Sequence, residues 1–119
     1  MKYMFLIYGN EQQWAALSPE AQGQAVAEYG AVVERIAAAG QLVDAGHLAP
    51  TFTATTLRHD APRPTDGPFA ETKEALGGFF IVDVEDLDAA LAWARQLPLH
   101  WDSASVEIRP FATADAPVT

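Results

Sequence analysis

The chain has 119 residues, half of them hydrophobic and 19% charged, a balance that suits one globular domain and excludes a disordered segment. Seven basic residues against sixteen acidic ones give a formal charge of -9, and the basic residues are scattered, so nucleic acid and anionic membrane surfaces are excluded as direct partners. Cysteine is absent, which removes disulfides, thiolate metal sites and a thiol nucleophile and suits a reducing, cytoplasmic setting.

Tyr3 to Tyr8 is an apolar run rich in aromatic and branched residues and bounded by Gly9-Asn10. It is too short for a membrane span or a signal-peptide core and reads as a first strand. Ser18 is placed to accept from the orphan amides of a helix whose first position is Pro19, with Glu20 near the positive end of its dipole. Val26, Tyr29, Val33 and Ile36 recur every three or four residues as the predicted buried stripe of that helix, and Gly40 ends it. Leu42 to Leu48 and Phe52 to Arg58 read as a bent strand or two short ones, separated by Pro50. His59 to Pro68 holds three prolines and a glycine and reads as a loop. Phe79 to Val84 is a further strand. Asp86 then caps a second helix whose predicted buried side is Leu87, Ala90, Leu91, Ala94 and Leu97, with Pro98 as its stop. After an irregular Leu99 to Ala104, Val106 and Ile108 alternate with Glu107 and Arg109 in a last strand, and residues 112–119 read as a flexible tail.

The order β, α, β(β), β, α, β predicts an α+β domain over residues 1–111, a ferredoxin-like antiparallel sheet with two helices on one face. In the first strand Tyr3, Phe5 and Ile7 point one way and Met4, Leu6 and Tyr8 the other, so both faces are apolar. Phe80 and Val82 against Phe79 and Ile81 repeat the pattern. Two helices cover one face only, and packing of the bare face against a second copy predicts a homodimer.

Four segments carry a resemblance: Met1-Lys2-Tyr3-Met4 through Leu6-Ile7-Tyr8-Gly9; Thr65-Asp66-Gly67-Pro68-Phe69-Ala70-Glu71-Thr72-Lys73-Glu74; Leu76-Gly77-Gly78-Phe79; and Ser105-Val106-Glu107-Ile108-Arg109-Pro110. Together they resemble the DGPF type of the YCII-related proteins over roughly Met1 to Pro110, the unbroken run Asp66 to Lys73 being the specific part. The resemblance implies a ferredoxin-like fold pairing into a dimeric α/β barrel, and it implies no particular reaction. Proteins of this type are often encoded beside extracytoplasmic-function sigma factors, which implies a sigma factor as the partner of a non-catalytic regulatory dimer. The wider superfamily includes dehalogenating, isomerising and oxygenating enzymes acting on small aromatic compounds. The histidine of the first helix and the aspartate of an Asp-Pro-Tyr segment, suspected as the active pair in the YCII branch, have no counterpart. Ala21 to Ala39 contains no histidine, and the residues around Pro98 read Gln96-Leu97-Pro98-Leu99-His100.

The residues themselves offer several candidates. Asp66-Gly67-Pro68-Phe69 has a structural reading, in which Asp66 accepts from nearby amides, Gly67 takes a positive φ and Pro68 fixes the exit. Its functional reading makes Asp66 a general base or polar anchor at a pocket mouth, with Phe69 as an apolar wall and Glu71 and Lys73 beside it. His47, His59 and His100 lack the spacing that places two imidazoles on one metal, so no metal is expected. His47, where a strand ends, is the preferred acid or base, and His100-Trp101-Asp102 is a second candidate in which Asp102 orients His100. Tyr8 belongs with the polar groups of the pocket, and Tyr3, Tyr29, Trp14 and Trp101 either line it or fill the core. The expected site thus joins Asp66 and His47 as catalytic groups with Tyr8, Phe69 and Lys73 as binding groups for a small aromatic or acidic ligand, without a cofactor.

Overall fold

The computed structural model describes residues 1–113. A four-stranded antiparallel sheet has the order β2-β5-β1-β6, with β1 at Lys2–Gly9, β2 at Leu42–His47, β5 at Ala75–Asp83 and β6 at Ser105–Pro110. Two further strands, β3 at Thr55–Thr56 and β4 at Thr65–Asp66, pair only with each other. Three helices complete the fold: α1 at Glu11–Ala16, α2 at Pro19–Ala38 and α3 at Leu87–Ala94. Within one chain the sheet is open, not closed into a barrel. No described helix is long and apolar enough to cross a membrane.

The core lies between one sheet face and helices α2 and α3. Tyr3, Phe5 and Ile7 of β1 and Phe80 and Val82 of β5 meet Val32 and Ile36 of α2 and Ala90 and Ala94 of α3, with Leu97 just beyond. Phe5 and Phe80 face each other across the strand pair and stack at 6.3 Å. Burying side chains as completely as Phe5 and Ile36 contributes about 1.5–3 kcal/mol each. The caps form as the sequence indicates: the Ser18 hydroxyl accepts from the Ala21 amide at 3.1 Å and the Asp86 carboxylate from the Ala89 amide at 2.9 Å. Gly40 follows α2 with φ +73°, a left-handed stop that a side chain disfavours.

Several expectations need correcting. Val26 is 50% exposed, and the face α2 buries runs through Ala25, Tyr29, Val32, Val33 and Ile36, because the helix rolls its smaller alanine onto the sheet. Leu87 likewise lies outside the face of α3 that Ala90 and Ala94 define. Phe52 to Arg58 does not join the main sheet: Thr51–Thr53 is a 3-10 turn and β3 has two residues, closed against β4 inside the stretch read as a loop. β5 begins at Ala75, since Gly77 and Gly78 extend the strand rather than precede it. α1 was not expected; it forms because the Asn10 side chain accepts from the Gln13 amide and closes a short helix. From residue 114 onward the expected tail lies outside the described residues.

The segment 48–74 is tied to the body by the Leu48 amide donating to the Gly77 carbonyl at 2.8 Å and the Thr51 amide to the Glu11 carboxylate at 3.2 Å. Dimensions of 42 × 41 × 19 Å make the molecule a slab, and the radius of gyration, 16.0 Å, exceeds the roughly 13.5 Å of a compact chain this long. On the sheet face that the helices leave bare, Met4, Leu6, Tyr8, Phe79 and Ile81 are half-buried. Asp44 opposite Ile81, Glu107 opposite Leu6 and Arg109 opposite Met4 frame this stripe with charge.

Candidate functional site

Strand order brings four chain ends to one edge of the slab: the C-terminal ends of β1 and β2 and the starts of β5 and β6. Gly9, His47, Ala75 and Ser105 all lie there. Helix α1 and a 3-10 turn at Leu99–Asp102 close over this end on the helix side. They are tied by the Asn10 amide donating to the Asp102 carbonyl at 3.0 Å and the Ser103 hydroxyl to Gln13 Oε1 at 2.8 Å. Ser103, just after the turn, holds a left-handed backbone at φ 51°, a strained conformation for a residue with a Cβ, and it reverses the chain into β6.

Asp102 is the centre of this arrangement. Its carboxylate rests on the floor that Gly9 provides, and a Cβ at position 9 would collide with it. Burial holds the Asp102 carboxyl above its ordinary range, against a hydrogen bond from its own backbone and the nearby charge of His47, both of which pull it down. Tyr29 of α2 lies within range of the Asp102 charge. Burial, aided by the Asp102 charge, pushes its phenol up to about 12. Asp102 thus acts electrostatically on Tyr29 and is acted on by His47, and Trp14 of α1 meets the His47 ring edge-on, with centroids 5.9 Å apart. Trp101 is anchored away from these groups by its indole donating to Glu28 Oε1 at 2.8 Å.

Two open clefts flank the segment 48–74. One, of about 600 Å³, is lined by Asn10, Glu11, Phe52, Asp66 and Lys73 among others. The other, of about 650 Å³, is lined by Tyr8, Thr56, Pro68, Phe69 and Leu76 among others. Asp66 and Lys73 thus share one cleft and Tyr8 and Phe69 the other, while His47 lines neither and faces Trp14 and Asp102. The Asp66-Gly67-Pro68-Phe69 run is held by backbone contacts: the Gly67 amide donates to Ala54 at 2.7 Å and the Thr56 hydroxyl to the Gly67 carbonyl at 2.8 Å. Gly67 takes the positive φ expected of it, 106°, and the Arg58 guanidinium donates to the Phe69 carbonyl while covering its ring at 5.1 Å.

The family model of the YCII-related domain matches residues 1–112, nearly the whole chain. The chain belongs to the YCII-related domain family. The YCII-related domain is also 41% identical over 115 residues to an uncharacterized protein from Rhizobium meliloti (strain 1021), a match that covers 94% of this chain and 93% of that relative. Sequence reasoning placed His47 at a strand end but linked Asp102 to its neighbour His100; His100 instead lies over Trp101, with ring centroids 4.9 Å apart. It gives Tyr29 a place in the apolar stripe of α2 and, with Trp14, among the residues that either line the pocket or fill the core. A signal for Asp102 did exist, since a glycine ending a strand leaves room for a side chain from elsewhere, but only the folded chain shows which one fills it. Among the described residues, no cluster of three histidine or carboxylate side chains is arranged to hold a metal ion.

Proposed function

We propose that this YCII-related domain is a cytoplasmic homodimer acting on a small organic molecule at the shared end of its strands, with His47 as the group that moves a proton and Asp102 as its charge partner. The observation that carries this reading is the Asp102 carboxylate lodged on Gly9, desolvated and facing His47. Imidazole is the side chain suited to proton transfer near neutral pH, and a carboxylate beside it stabilises the imidazolium. Tyr8, Phe69, Lys73 and Asp66, in the flanking clefts, are the walls along which the ligand extends. The bare stripe of Met4, Leu6, Tyr8, Phe79 and Ile81 is the face a second copy covers. Titration with benzoate and phenols, followed through the indole N–H signals of Trp14 and Trp101, tests the site. Shifts that His47→Gln and Asp102→Asn abolish support it; no response from any of these ligands sinks it.

A second reading is a non-catalytic regulatory dimer that docks on a protein such as a sigma factor. It is favoured by Phe52, Leu57 and Phe69, which are 81%, 72% and 73% exposed on the segment 48–74. Co-purification with such a factor at moderate salt, lost in Phe52→Ser, supports this reading, and no capture by the wild type removes it.

A further inference from the structure

We propose that residues 48–74 form an arm that lies on the bare sheet face of a second copy, and that the cleft at the arm's root becomes a closed site for a small neutral aromatic molecule only in that pair. This rests on the reading of the chain as a dimer with a ligand along its flanking clefts, and adds to it the arm that joins the copies and the chemistry of the ligand. Three cross-strand pairs, Met4 with Ile81, Leu6 with Phe79 and Tyr8 with Leu76, form an apolar strip on the face the helices leave bare. Tyr8 and Leu76 also line the cleft of about 650 Å³, together with Pro68 and Phe69 of the arm. Strip, cleft and arm are therefore one continuous surface. The arm adds Phe52, Leu57 and Phe69 to it, all largely exposed, and none of its residues joins the hydrophobic core. At 19 Å the molecule is no deeper than one layer of helices on one sheet, layers that pack about 10 Å apart, so the arm extends from the strand ends within the plane of the slab.

Such a surface is its own complement. A two-fold axis through the cleft sets the arm of each copy on the strip of the other and covers both apolar regions at once. Charge agrees with this pairing. The arm's tip carries Arg58 and Arg63 with Asp60 between them, whereas the rim of the strip carries Asp44 beside Ile81, Glu107 beside Leu6 and Arg109 beside Met4. Two bases and one acid thus meet two acids and one base, and Lys2 and Asp83 face each other at the strip's far end. A slab face of 42 × 41 Å is ample for the roughly 800 Å² that each partner of a standard interface buries. The same axis brings the two clefts face to face. A binding pocket encloses roughly 70–90% of its ligand, which a cleft open on one side does not do in a lone protomer. Closed by the second copy, it has apolar walls in Pro68, Phe69 and Leu76 and the Tyr8 hydroxyl as a hydrogen-bonding group, while Glu74 and the net -9 turn away anions. A neutral phenol or naphthol fits that chemistry.

The test uses the full chain, whose lack of cysteine lets a single exposed His59→Cys carry a nitroxide on the arm. Mixing the spin-labelled chain with 15N-labelled wild type makes every broadened amide signal a contact between copies. Broadening is expected at Met4 to Tyr8 and Phe79 to Ile81. Leu57→Asp, at an exposed position that leaves the protomer folded, should weaken the dimer in sedimentation by at least about tenfold. Added 2-naphthol should bind wild type in proportion to the dimer fraction, and Leu57→Asp at the same dilution at least about tenfold more weakly. A dimer in which the labelled arm broadens no partner amide of the strip overturns the clasp, leaves the dimer standing and frees the arm for a foreign protein. Naphthol bound equally by protomer and dimer, or by neither, overturns the closed site. A lone protomer at every concentration removes the inference together with the dimer reading, and an undiminished dimer in Leu57→Asp overturns the role of the arm alone.

Discussion

Asp102→Asn isolates the electrostatic contact on which the site depends. Tyr29 is pushed from 10.0 up to about 12, with burial as the larger cause and the Asp102 charge as the smaller. The substitution keeps the shape and removes only the smaller cause, so the phenol should fall by the smaller part of that rise and stay above its ordinary value. With three tyrosines in the chain, 13Cζ labelling and a Tyr29→Phe control assign the titration unambiguously. The linked stability has a definite sign. A phenol whose ionisation is raised by folding stabilises the native state fully below pH 10, and this contribution is lost as pH rises toward 12. Urea midpoints across that window should therefore fall in wild type, fall less in Asp102→Asn, and fall least in Tyr29→Phe. An unmoved Tyr29 titration in Asp102→Asn would show that the two groups do not face each other, and a full return to 10 would show that burial is not the main cause.

The Asp102 carboxyl is raised by folding, so its contribution is favourable below the ordinary carboxylate range and is lost as pH rises through its folded value; Asp102→Asn should unfold at higher urea than wild type at pH 7, with the gap closing toward pH 3. Gly9→Ala places a Cβ against the Asp102 carboxylate, closest to Oδ2, so the carboxylate must leave the place it now holds. It should cost roughly 100-fold in turnover of any substrate with little loss of stability, and an unchanged rate would show that Asp102 is not needed where it stands. Ile36→Val should cost about 0.5–1.5 kcal/mol by urea unfolding while Val26→Ala stays within about 0.5, and the reverse order would contradict the buried face assigned to α2. Ile81→Lys, on the bare sheet face, should convert a dimer to protomers in sedimentation; a dimer that persists places the interface elsewhere.

The fold was largely legible because its signals are local. The apolar runs of β1 and β5, the alternation in β6, the Ser18 and Asp86 caps and the Gly40 stop each act within a few residues, and the structure realises all of them. The roll of α2 was less legible. Val26 fits the stripe by spacing, yet Ala25 takes the buried place, since close approach of the helix to the sheet rewards a small side chain over a large one, and spacing alone does not encode that distance. Short elements were the weakest point: α1, β3 and β4 have six, two and two residues, below the length at which periodicity says anything. The sequence names residues of the candidate site singly and not as a group: His47 as an acid or base, Asp102 as a partner of His100, and Tyr29 and Trp14 as lining or core. They lie far apart in sequence, and within the 3-10 turn side chains point to different sides, so that His100 lies over Trp101.

Connection lengths explain why chemistry gathers at one end of this sheet. At the far end α2 passes to β2 through residues 39–41 and β5 passes to α3 through residues 84–86, links too short to do more than turn the chain. At the near end the links are residues 48–74 and 95–104, together with the whole of α1 between β1 and α2. Short links are fixed by the packing of the elements they join, whereas long ones answer to the core only at their ends and can vary in sequence without unfolding it. Asp102 and Trp14 come from such segments, and His47 is the last residue before one. Tyr29 comes from a core helix, at a half-buried position where it packs against the core, within range of the Asp102 charge. A relative with a different ligand should therefore differ most in the counterparts of residues 48–74 and 95–104 and least at the position of Tyr29, because changing that residue disturbs the packing and the chemistry together.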